Sequence, residues 1–276
     1  MIRQQKNNNL LIFLPALQRN KFLKMPLQSG TEIKLNPNVS VDCVIFGFDS
    51  EKLKVLLIDR GQQPADKSEK VYALPGNLIR NDENLDQAAG RVLEELTGLQ
   101  DIFLEQFGSF GDPNRLTKES DLEWLKSIRA EPDARVITVA YYSLIRSDQY
   151  ELHASSFAKE AFWHDIDNLP ALGFDHLEII ETALKELKFK SKYQPLGFEL
   201  LPEKFTLGQL QLLYEAILST ELDKRNFRRK ILKMSFLVPL EEKQVGVPHK
   251  PAQYFVFNKE KYEDYRQNVD DFYFTL

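Results

Sequence analysis

Two apolar, β-branched segments separated by only four polar residues constrain the fold of this chain most strongly. Residues 40–48 read SVDCVIFGF and residues 53–59 read LKVLLID, with Asp49 to Lys52 between them. Runs of this length, bounded by polar turn residues, are typical of buried strands, and the short connection predicts that they pair as a hairpin. Cys43 is the single cysteine and lies inside the first run, so we predict a buried strand residue rather than a nucleophile.

Strands and helices are predicted to alternate after this hairpin. A helix at 85–96 ends at Thr97-Gly98, a typical helix stop. After Lys188 the segment KFKSKYQP is basic, polar and ends in proline, which is typical of a linker between domains. The elements before this linker suit an α/β sandwich. Besides the hairpin and the helix at 85–96, these elements are strands at 71–74, 102–110, 136–145 and 162–163, and helices at 120–130 and 179–187.

A second unit is predicted beyond the linker. Thr206, with Gln209 three residues later, forms a capping-box pattern ahead of a helix at 207–218. Another helix is predicted from Asp223 to Met234, followed by strands at 236–240 and 254–257. Helix, turn, helix and β-hairpin is the order of the second half of a winged helix.

The composition excludes several classes of protein. The chain has 276 residues, enough for one large or two ordinary domains, and a net charge of −5, so any nucleic-acid surface must be local. A single cysteine excludes an internal disulfide framework and fits a reducing cytoplasm. No apolar run has the roughly 18 residues of a membrane span. Residues 1–35 are predicted to form a flexible N-terminal extension, with Met25 as a candidate start of the natural product.

Residues 74–99 resemble a Nudix box that has lost most of its metal ligands. They read LPGNLIRNDENLDQAAGRVLEELTGL. The family pattern is G-x5-E-x7-R-E-U-x-E-E-x-G-U, where U is a bulky aliphatic residue, and it aligns only when its first position falls on Asn77. Glu83, Arg91 and Glu95 then match. Val92 and Leu96 stand where active Nudix hydrolases carry metal-binding glutamates.

These two replacements bear directly on catalysis. Mg²⁺ takes oxygen ligands, usually carboxylates, and carboxylates at i and i+4 on one helix face point to one place. Val92 and Leu96 cannot bind a metal, and with Leu85 and Ala89 they form a stripe typical of a helix face in a protein core. We therefore predict no catalytic residue, metal or cofactor. The alternative is a residual Mg²⁺ role for Glu95, helped by Glu83.

The segment DKRNFRRKILK at 223–233 predicts a DNA-recognition helix. Phe227, Ile231 and Leu232 have the spacing to anchor one face, which leaves the other face cationic. The second helix of a helix-turn-helix enters the major groove, where Arg reads guanine and Asn reads adenine. The predicted base contacts are Arg225, Asn226 and Arg229, and the predicted phosphate contacts are Lys224, Arg228, Lys230 and, in the wing, Lys250. A solvated basic helix face is the alternative interpretation.

The chain resembles the Nudix-related transcriptional regulators of the NrtR-like family. The resemblance covers about residues 36–257 and rests on VSVDCVIFGF, LPGN, FGDPNR, ARVITVAYYSLI, FDHLEII and, most specifically, LLPEKFTLGQLQLLYEAIL followed by DKRNFRRKIL. It implies a Nudix-type α/β/α sandwich at 36–190 that senses an effector, and a winged-helix domain at 191–276. It also implies a homodimer on double-stranded palindromic operator DNA, and an ADP-ribose-like or plain-sugar effector, such as arabinose, that weakens DNA binding.

The effector pocket is predicted between the Nudix loop and residues 110–115. Candidate effector contacts are Arg80, Phe110, Asp112 and Arg115. The two arginines are candidates because guanidinium groups suit both anions and hydroxyls. Surface salt bridges are an equally open interpretation of the two arginines. The segment 116–133 inserts a helix that departs from the family. Two other functions stay open, a Nudix hydrolase of nucleoside diphosphate derivatives with an accessory winged helix, and a protein-binding module.

Overall fold

The computed structural model describes residues 34–61, 70–116, 118–193, 196–248 and 250–268. Residues 1–33 of the predicted N-terminal extension lie outside the described residues.

In the described residues, the N-terminal part contains one mixed sheet, three α-helices and a short 3-10 helix at Ser147–Gln149. The strands are β1 (Leu35–Phe48), β2 (Leu53–Asp59), β3 (Tyr72–Ala73), β4 (Gly76–Arg80), β5 (Glu105–Phe110), β6 (Ile137–Arg146) and β7 (Glu160–Asp165). The helices are α1 (Leu85–Thr97), α2 (Glu119–Ile128) and α3 (His176–Tyr193). The sheet runs in the order β3-β2-β1-β6-β5, with β4 also paired to β1 and β7 to β2. The predicted hairpin is confirmed, since β1 and β2 pair antiparallel with Phe46 opposite Val55.

The two faces of β1 show why the chain forms a sandwich. Successive side chains of a strand point to opposite faces of the sheet. Cys43 and Ile45 belong to the apolar cluster that contains α1, whereas Val44 and Phe46 belong to the cluster that contains α3. All four side chains are fully buried. A strand that is apolar on both faces needs a cover on each, so the predicted α/β/α arrangement is confirmed.

The C-terminal part is a winged helix. It contains β8 (Phe205–Thr206), α4 (Leu207–Leu218), α5 (Lys224–Ile231), β9 (Leu237–Lys243), β10 (Gln253–Phe257) and α6 (Lys259–Asn268), with its strands in the order β8-β10-β9. The predicted capping box is confirmed, because the Gln209 backbone N–H donates to Thr206 Oγ1 and the Thr206 N–H donates to Gln209 Oε1. Phe198 stacks on Phe257 with ring centroids 4.7 Å apart inside the apolar core.

Some elements of the structure were not predicted, and the predicted linker was wrong. The strands β4 and β8 and the helix α6 carry no strong local pattern. The predicted linker at 188–195 is wrong over most of its length, because α3 continues to Tyr193. Leu187 and Ser191 are buried along this helix, so contacts with the core extend it beyond the apolar stretch that marks it in the sequence. Within the described ranges, no helix has the length and apolar character needed to cross a membrane.

Candidate effector cavity and nucleic-acid interface

The carboxylates that remain in the Nudix box are occupied by arginines. Arg91 donates from Nε to Glu83 Oε2 at 2.8 Å and from Nη1 to Glu95 Oε2 at 2.9 Å. Arg80 donates from Nη2 to the other oxygen of Glu95 at 2.8 Å. Burial raises the pKa of Glu83, but hydrogen bonds from Arg91 and from the Arg80 backbone outweigh it, and the net pKa is lowered. Glu83 and Glu95 therefore act as anchors for two arginines.

The positions of the missing glutamates are part of the core. Val92 and Leu96 are each 1% exposed and pack in the cluster between α1 and the sheet, together with Ala89. This confirms the predicted apolar stripe, with Leu85 partly buried at its start. In the described part of the chain, no group of three or more His, Cys, Asp and Glu side chains is arranged to hold a metal ion. The residues present do not fit the metal site of an active Nudix hydrolase.

A cavity lies beside the middle of β1, between the Nudix-box residues Gly76 and Asn77 and helix α2. The Asp42 carboxylate is nearly buried on its floor, opposite Gly76 of β4. A Cβ atom at Gly76 would lie 1.8 Å from Asp42 Oδ1, so only glycine lets this carboxylate lie against β4. The polar lining comes from Ser40, Asp42, Asn77, Arg115, Arg129 and His176, and the apolar lining from Ile58, Ala73, Leu74, Leu116, Trp124, Ile128, Val136, Phe157 and Phe174.

A charged network forms the floor of this cavity. Arg115 makes a bidentate pair with Asp175, from Nε to Oδ2 and from Nη2 to Oδ1, both at 2.8 Å. Its Nη2 lies 3.7 Å from Asp42 Oδ2. His176 Nδ1 accepts a hydrogen bond from the Leu74 backbone N–H at 2.9 Å, and its Nε2 lies 3.6 Å from Asp42 Oδ1. Burial lowers the pKa of His176 despite the two nearby carboxylates, so the imidazole is held neutral.

The inserted helix α2 forms one wall of the cavity and is held by a buried ion pair. Arg60 Nη1 donates to Asp121 Oδ1 at 2.7 Å, with side-chain exposures of 4% and 1%. The guanidinium carbon of Arg60 lies 4.7 Å from the ring centroid of Trp124 and 5.0 Å from that of Phe174. A Cβ atom at Gly173 would lie 2.2 Å from Arg60 Nη1, so this glycine makes room for the arginine.

The structure separates the four predicted effector contacts. Arg115 lines the cavity, although its Asp175 pair already uses two of its donors. Arg80 is bonded to Glu95, outside this lining. Phe110 packs edge-on against Phe107, and Asp112 Oδ1 accepts from the Asn114 N–H in a local turn. Of the Nudix-box positions, Asn77 lies at the cavity, where its Oδ1 accepts from the Leu78 N–H.

Sequence reasoning missed most of the charged lining. Asp42 and His176 lie inside two of the quoted motifs, VSVDCVIFGF and FDHLEII, and a polar residue within an apolar strand was the available signal for Asp42. Arg129 and Trp124 belong to the insertion at 116–133, whose position against the sheet has no local signature. Asp175 is recognisable as a site residue only from its bidentate contact with Arg115.

Helix α5 presents a cationic face. Asp223 caps it by accepting from the Asn226 N–H at 2.7 Å, and Phe227 and Ile231 are buried against the domain. The side chains on the opposite face are exposed, namely Lys224, Arg225, Asn226, Arg228 and Arg229, with Lys230 half-buried. Arg229 Nη2 donates to Asn226 Oδ1 at 3.0 Å. The predicted separation of a buried anchor from a basic face is confirmed for these residues.

One anchor residue was predicted wrongly, and the wing has mixed charge. Leu232 is 58% exposed, because the helical geometry that continues to it turns its side chain about 100° away from that of the buried Ile231. Lys250 is exposed in the connection between β9 and β10, beside His249, which lies outside the described residues. Glu242 of β9 is bound by Lys204, so the wing offers both signs of charge.

Comparison with known proteins matches both parts of the chain. The NUDIX domain family matches residues 36–183, and the NrtR DNA-binding winged helix domain family matches residues 197–257. An ADPR responsive transcriptional repressor, NtrR, from Acinetobacter baylyi is 30% identical over 232 residues, which are 83% of this chain and 85% of that protein.

Solved structures agree with these matches. The crystal structure of Shewanella oneidensis NrtR has 28% identity and a TM-score of 0.59, covering 81% of this chain and 95% of that one. The structure of Shewanella oneidensis NrtR complexed with a 27mer DNA has 26% identity and a TM-score of 0.57, covering 82% and 95%.

Proposed function

Because the chain belongs to the NrtR-like family of transcriptional regulators, in which a Nudix domain precedes a winged-helix DNA-binding domain, we propose that it is an effector-responsive transcriptional repressor. The main observation in support of this function is the exposed cationic face of α5. Five polar or charged side chains between Lys224 and Arg229 are exposed to solvent. The opposite side of the helix is buried in the core through Phe227 and Ile231. A rigid basic helix followed by a β-hairpin suits the major groove of double-stranded DNA.

The N-terminal part supplies the sensor in this proposal. Its Nudix box keeps the helix but has apolar core residues at two metal-ligand positions, while the cavity next to it stays lined with charged groups. Binding without hydrolysis is the function that this combination supports. A metal-dependent hydrolase is disfavoured, because both oxygens of Glu95 are bonded to arginines.

The effector is proposed to be ADP-ribose or a related nucleotide sugar. The support is the Acinetobacter baylyi relative, which is named as ADPR responsive. A plain sugar is the second candidate, because the apolar side chains of Trp124 and Ile128 line the cavity. Effector binding is proposed to weaken DNA binding by a homodimer at a palindromic operator in the cytoplasm.

The test is a titration of full-length protein against two labelled duplexes, read by fluorescence anisotropy. One duplex is the promoter region of a gene adjacent to its own, and the other is a scrambled sequence of the same length. The expected result is specific binding that ADP-ribose or arabinose reverses. The binding should weaken as the salt concentration rises, because neutralisation of DNA phosphates releases counterions. The absence of salt-dependent binding to either duplex would contradict the regulator and favour the protein-binding alternative.

A further inference from the structure

Arg129 is a half-buried cation with two buried donor atoms that lack partners. It is the residue that ends α2, and its side chain lines the cavity. Its Nε and Nη1 atoms are both buried and have no hydrogen-bond partner among the described residues. Most buried polar groups in proteins are hydrogen-bonded, so two such atoms on one charged group require an explanation.

Both carboxylates near Arg129 are engaged by another group. The cavity contains two other charged groups, Asp42 and Arg115. Asp42 lies within 3.7 Å of both Arg115 and His176, and the remaining carboxylate, Asp175, is taken by the bidentate pair with Arg115. Burial lowers the pKa of Arg129 to about 10, with Asp42 opposing and Arg115 adding to the shift. Two carboxylates and two guanidinium groups therefore balance in number, but both carboxylates are engaged by Arg115, so Arg129 has no carboxylate of its own.

Such an arrangement costs stability unless a ligand compensates it. A buried donor without a partner destabilises the folded state, and more so when it is charged. An oxyanion is the partner that a guanidinium prefers, since charge-assisted hydrogen bonds are about twice as strong as neutral ones. Strained or unsatisfied groups persist where function retains them.

We propose that Arg129, supplied by the inserted helix α2, binds an anionic group of the effector, a phosphate or a carboxylate, and so selects charged ligands over neutral sugars. The inference rests on the proposed effector function and names the chemistry that this cavity recognises. It also assigns a role to the segment 116–133, which is the main departure from the family pattern.

The experiment measures ligand binding by calorimetry and the melting temperature of the ligand-free protein. The probes are ADP-ribose, ribose 5-phosphate and inorganic pyrophosphate as anions, and ribose and arabinose as neutral sugars. The variants are Arg129→Gln, Arg129→Lys and Arg129→Met. The matched control is Arg135→Gln, an exposed arginine outside the cavity lining that donates to the Gly111 carbonyl oxygen.

Substitutions at Arg129 should change both the affinity for anions and the stability of the ligand-free protein. Arg129→Gln should weaken the anionic probes at least about tenfold, corresponding to the loss of one charge-assisted contact. Arg129→Lys should retain part of the affinity, neutral sugars should bind all variants alike, and Arg135→Gln should match wild type. Without ligand, Arg129→Met should raise the melting temperature, because it removes a buried charge that lacks a full set of partners.

Three results would overturn the inference. The first is unchanged anion binding in Arg129→Gln. The second is equal weakening of anionic and neutral probes, or a lower melting temperature in Arg129→Met, either of which would make Arg129 a structural residue. The third is a wild type that binds no anionic probe. DNA titration of the same wild-type sample separates these failures from a failure of the repressor function, since operator binding does not depend on Arg129.

Discussion

At the scale of single residues, the clearest change from a hydrolase is the burial of Val92 and Leu96. Each is 1% exposed in the core between α1 and the sheet. Restoring the glutamate at 92 would place a carboxylate among Ala89, Leu93 and Cys43 rather than in an open metal site.

We predict that Val92→Glu destabilises the protein and does not create a hydrolase. Burial of an unpaired carboxylate should lower the free energy of unfolding by about 3 kcal/mol or more. The measurement is urea denaturation, with Glu94→Gln on the exposed face of the same helix as the control. A stable Val92→Glu variant that turns over ADP-ribose with Mg²⁺ would contradict the prediction.

A second prediction at this scale concerns His176 and pH. Burial lowers its pKa in the folded protein below the ordinary value of about 6.5, so the unfolded chain binds a proton that the folded chain does not. The free energy of unfolding should therefore decrease as the pH falls below about 6.5, by up to about 1.4 kcal/mol per pH unit, until the folded-state pKa is reached.

The control for this prediction is His176→Asn, whose side-chain oxygen can accept from the Leu74 N–H in place of Nδ1. Chemical denaturation from about pH 5 to 7.5 should show a shallower pH dependence in the variant. His164, whose pKa burial also lowers, leaves a residual slope in both proteins. Identical slopes in wild type and variant would show that His176 is not responsible.

The limits of sequence reasoning are also clearest for single residues. Cys43, Val92 and Leu96 were predicted correctly, because strand and helix periodicity decides whether they are buried. Arg115 was predicted to lie at the cavity, but its partner Asp175 is 60 residues away along the chain. Contacts at that separation follow from the packing of α3 on the sheet, which leaves no local pattern to read.

At the scale of elements, α2 depends on the pair between Arg60 and Asp121. Removing Asp121 leaves the Arg60 guanidinium buried without its counter-charge, and also removes the acceptor for the Phe174 N–H. We predict that Asp121→Ala lowers the free energy of unfolding by about 3–5 kcal/mol. Denaturation of Asp121→Ala beside Glu123→Ala, an exposed change on the same helix, measures this, and equal stability of the two would refute it.

The recognition helix α5 yields a prediction with two classes of residue. Arg225→Ala, Asn226→Ala and Arg229→Ala should each cost about 1–3 kcal/mol on the specific operator and relax the preference at one base pair. Lys224→Ala, Arg228→Ala, Lys230→Ala and Lys250→Ala should weaken all sequences alike and reduce the salt slope by about one. Titrations of operator and random DNA at several salt concentrations separate the two classes.

The control for α5 is Phe227→Ala. Phe227 is 1% exposed and packs against Tyr214 with ring centroids 6.1 Å apart. Its truncation should reduce stability by about 3–5 kcal/mol rather than change base preference. Wild-type affinity of both Arg225→Ala and Arg229→Ala on both DNAs would reject the groove assignment.

At the scale of the whole molecule, one apolar cluster extends through both parts of the chain. It contains Phe46 of β1 and Ile180 of α3, and also Leu210 of α4 and Phe236 before β9. The domain order was predicted from sequence because each part has its own local patterns. Their shared cluster was not predicted, since the segment expected to be a linker is helical to Tyr193.

We predict that the intact protein has no diphosphohydrolase turnover. Mg²⁺ catalysis needs carboxylates free to bind the ion, and both oxygens of Glu95 are paired with arginines. The measurement is a phosphate-coupled assay on ADP-ribose with Mg²⁺ or Mn²⁺. A rate near the enzyme median of about 10 s⁻¹ would make the protein a hydrolase.

The position of α2 also affects how quickly the protein can respond. Trp124 and Ile128 of α2 form a wall of the cavity, so the mobility of this helix decides how an effector enters. An association rate that levels off at high effector concentration would show that α2 must move first, whereas a rate that rises in proportion to concentration would show an open cavity. In the first case dissociation passes through the same opening, and the repressor stays bound to its effector for a time after the free concentration has fallen.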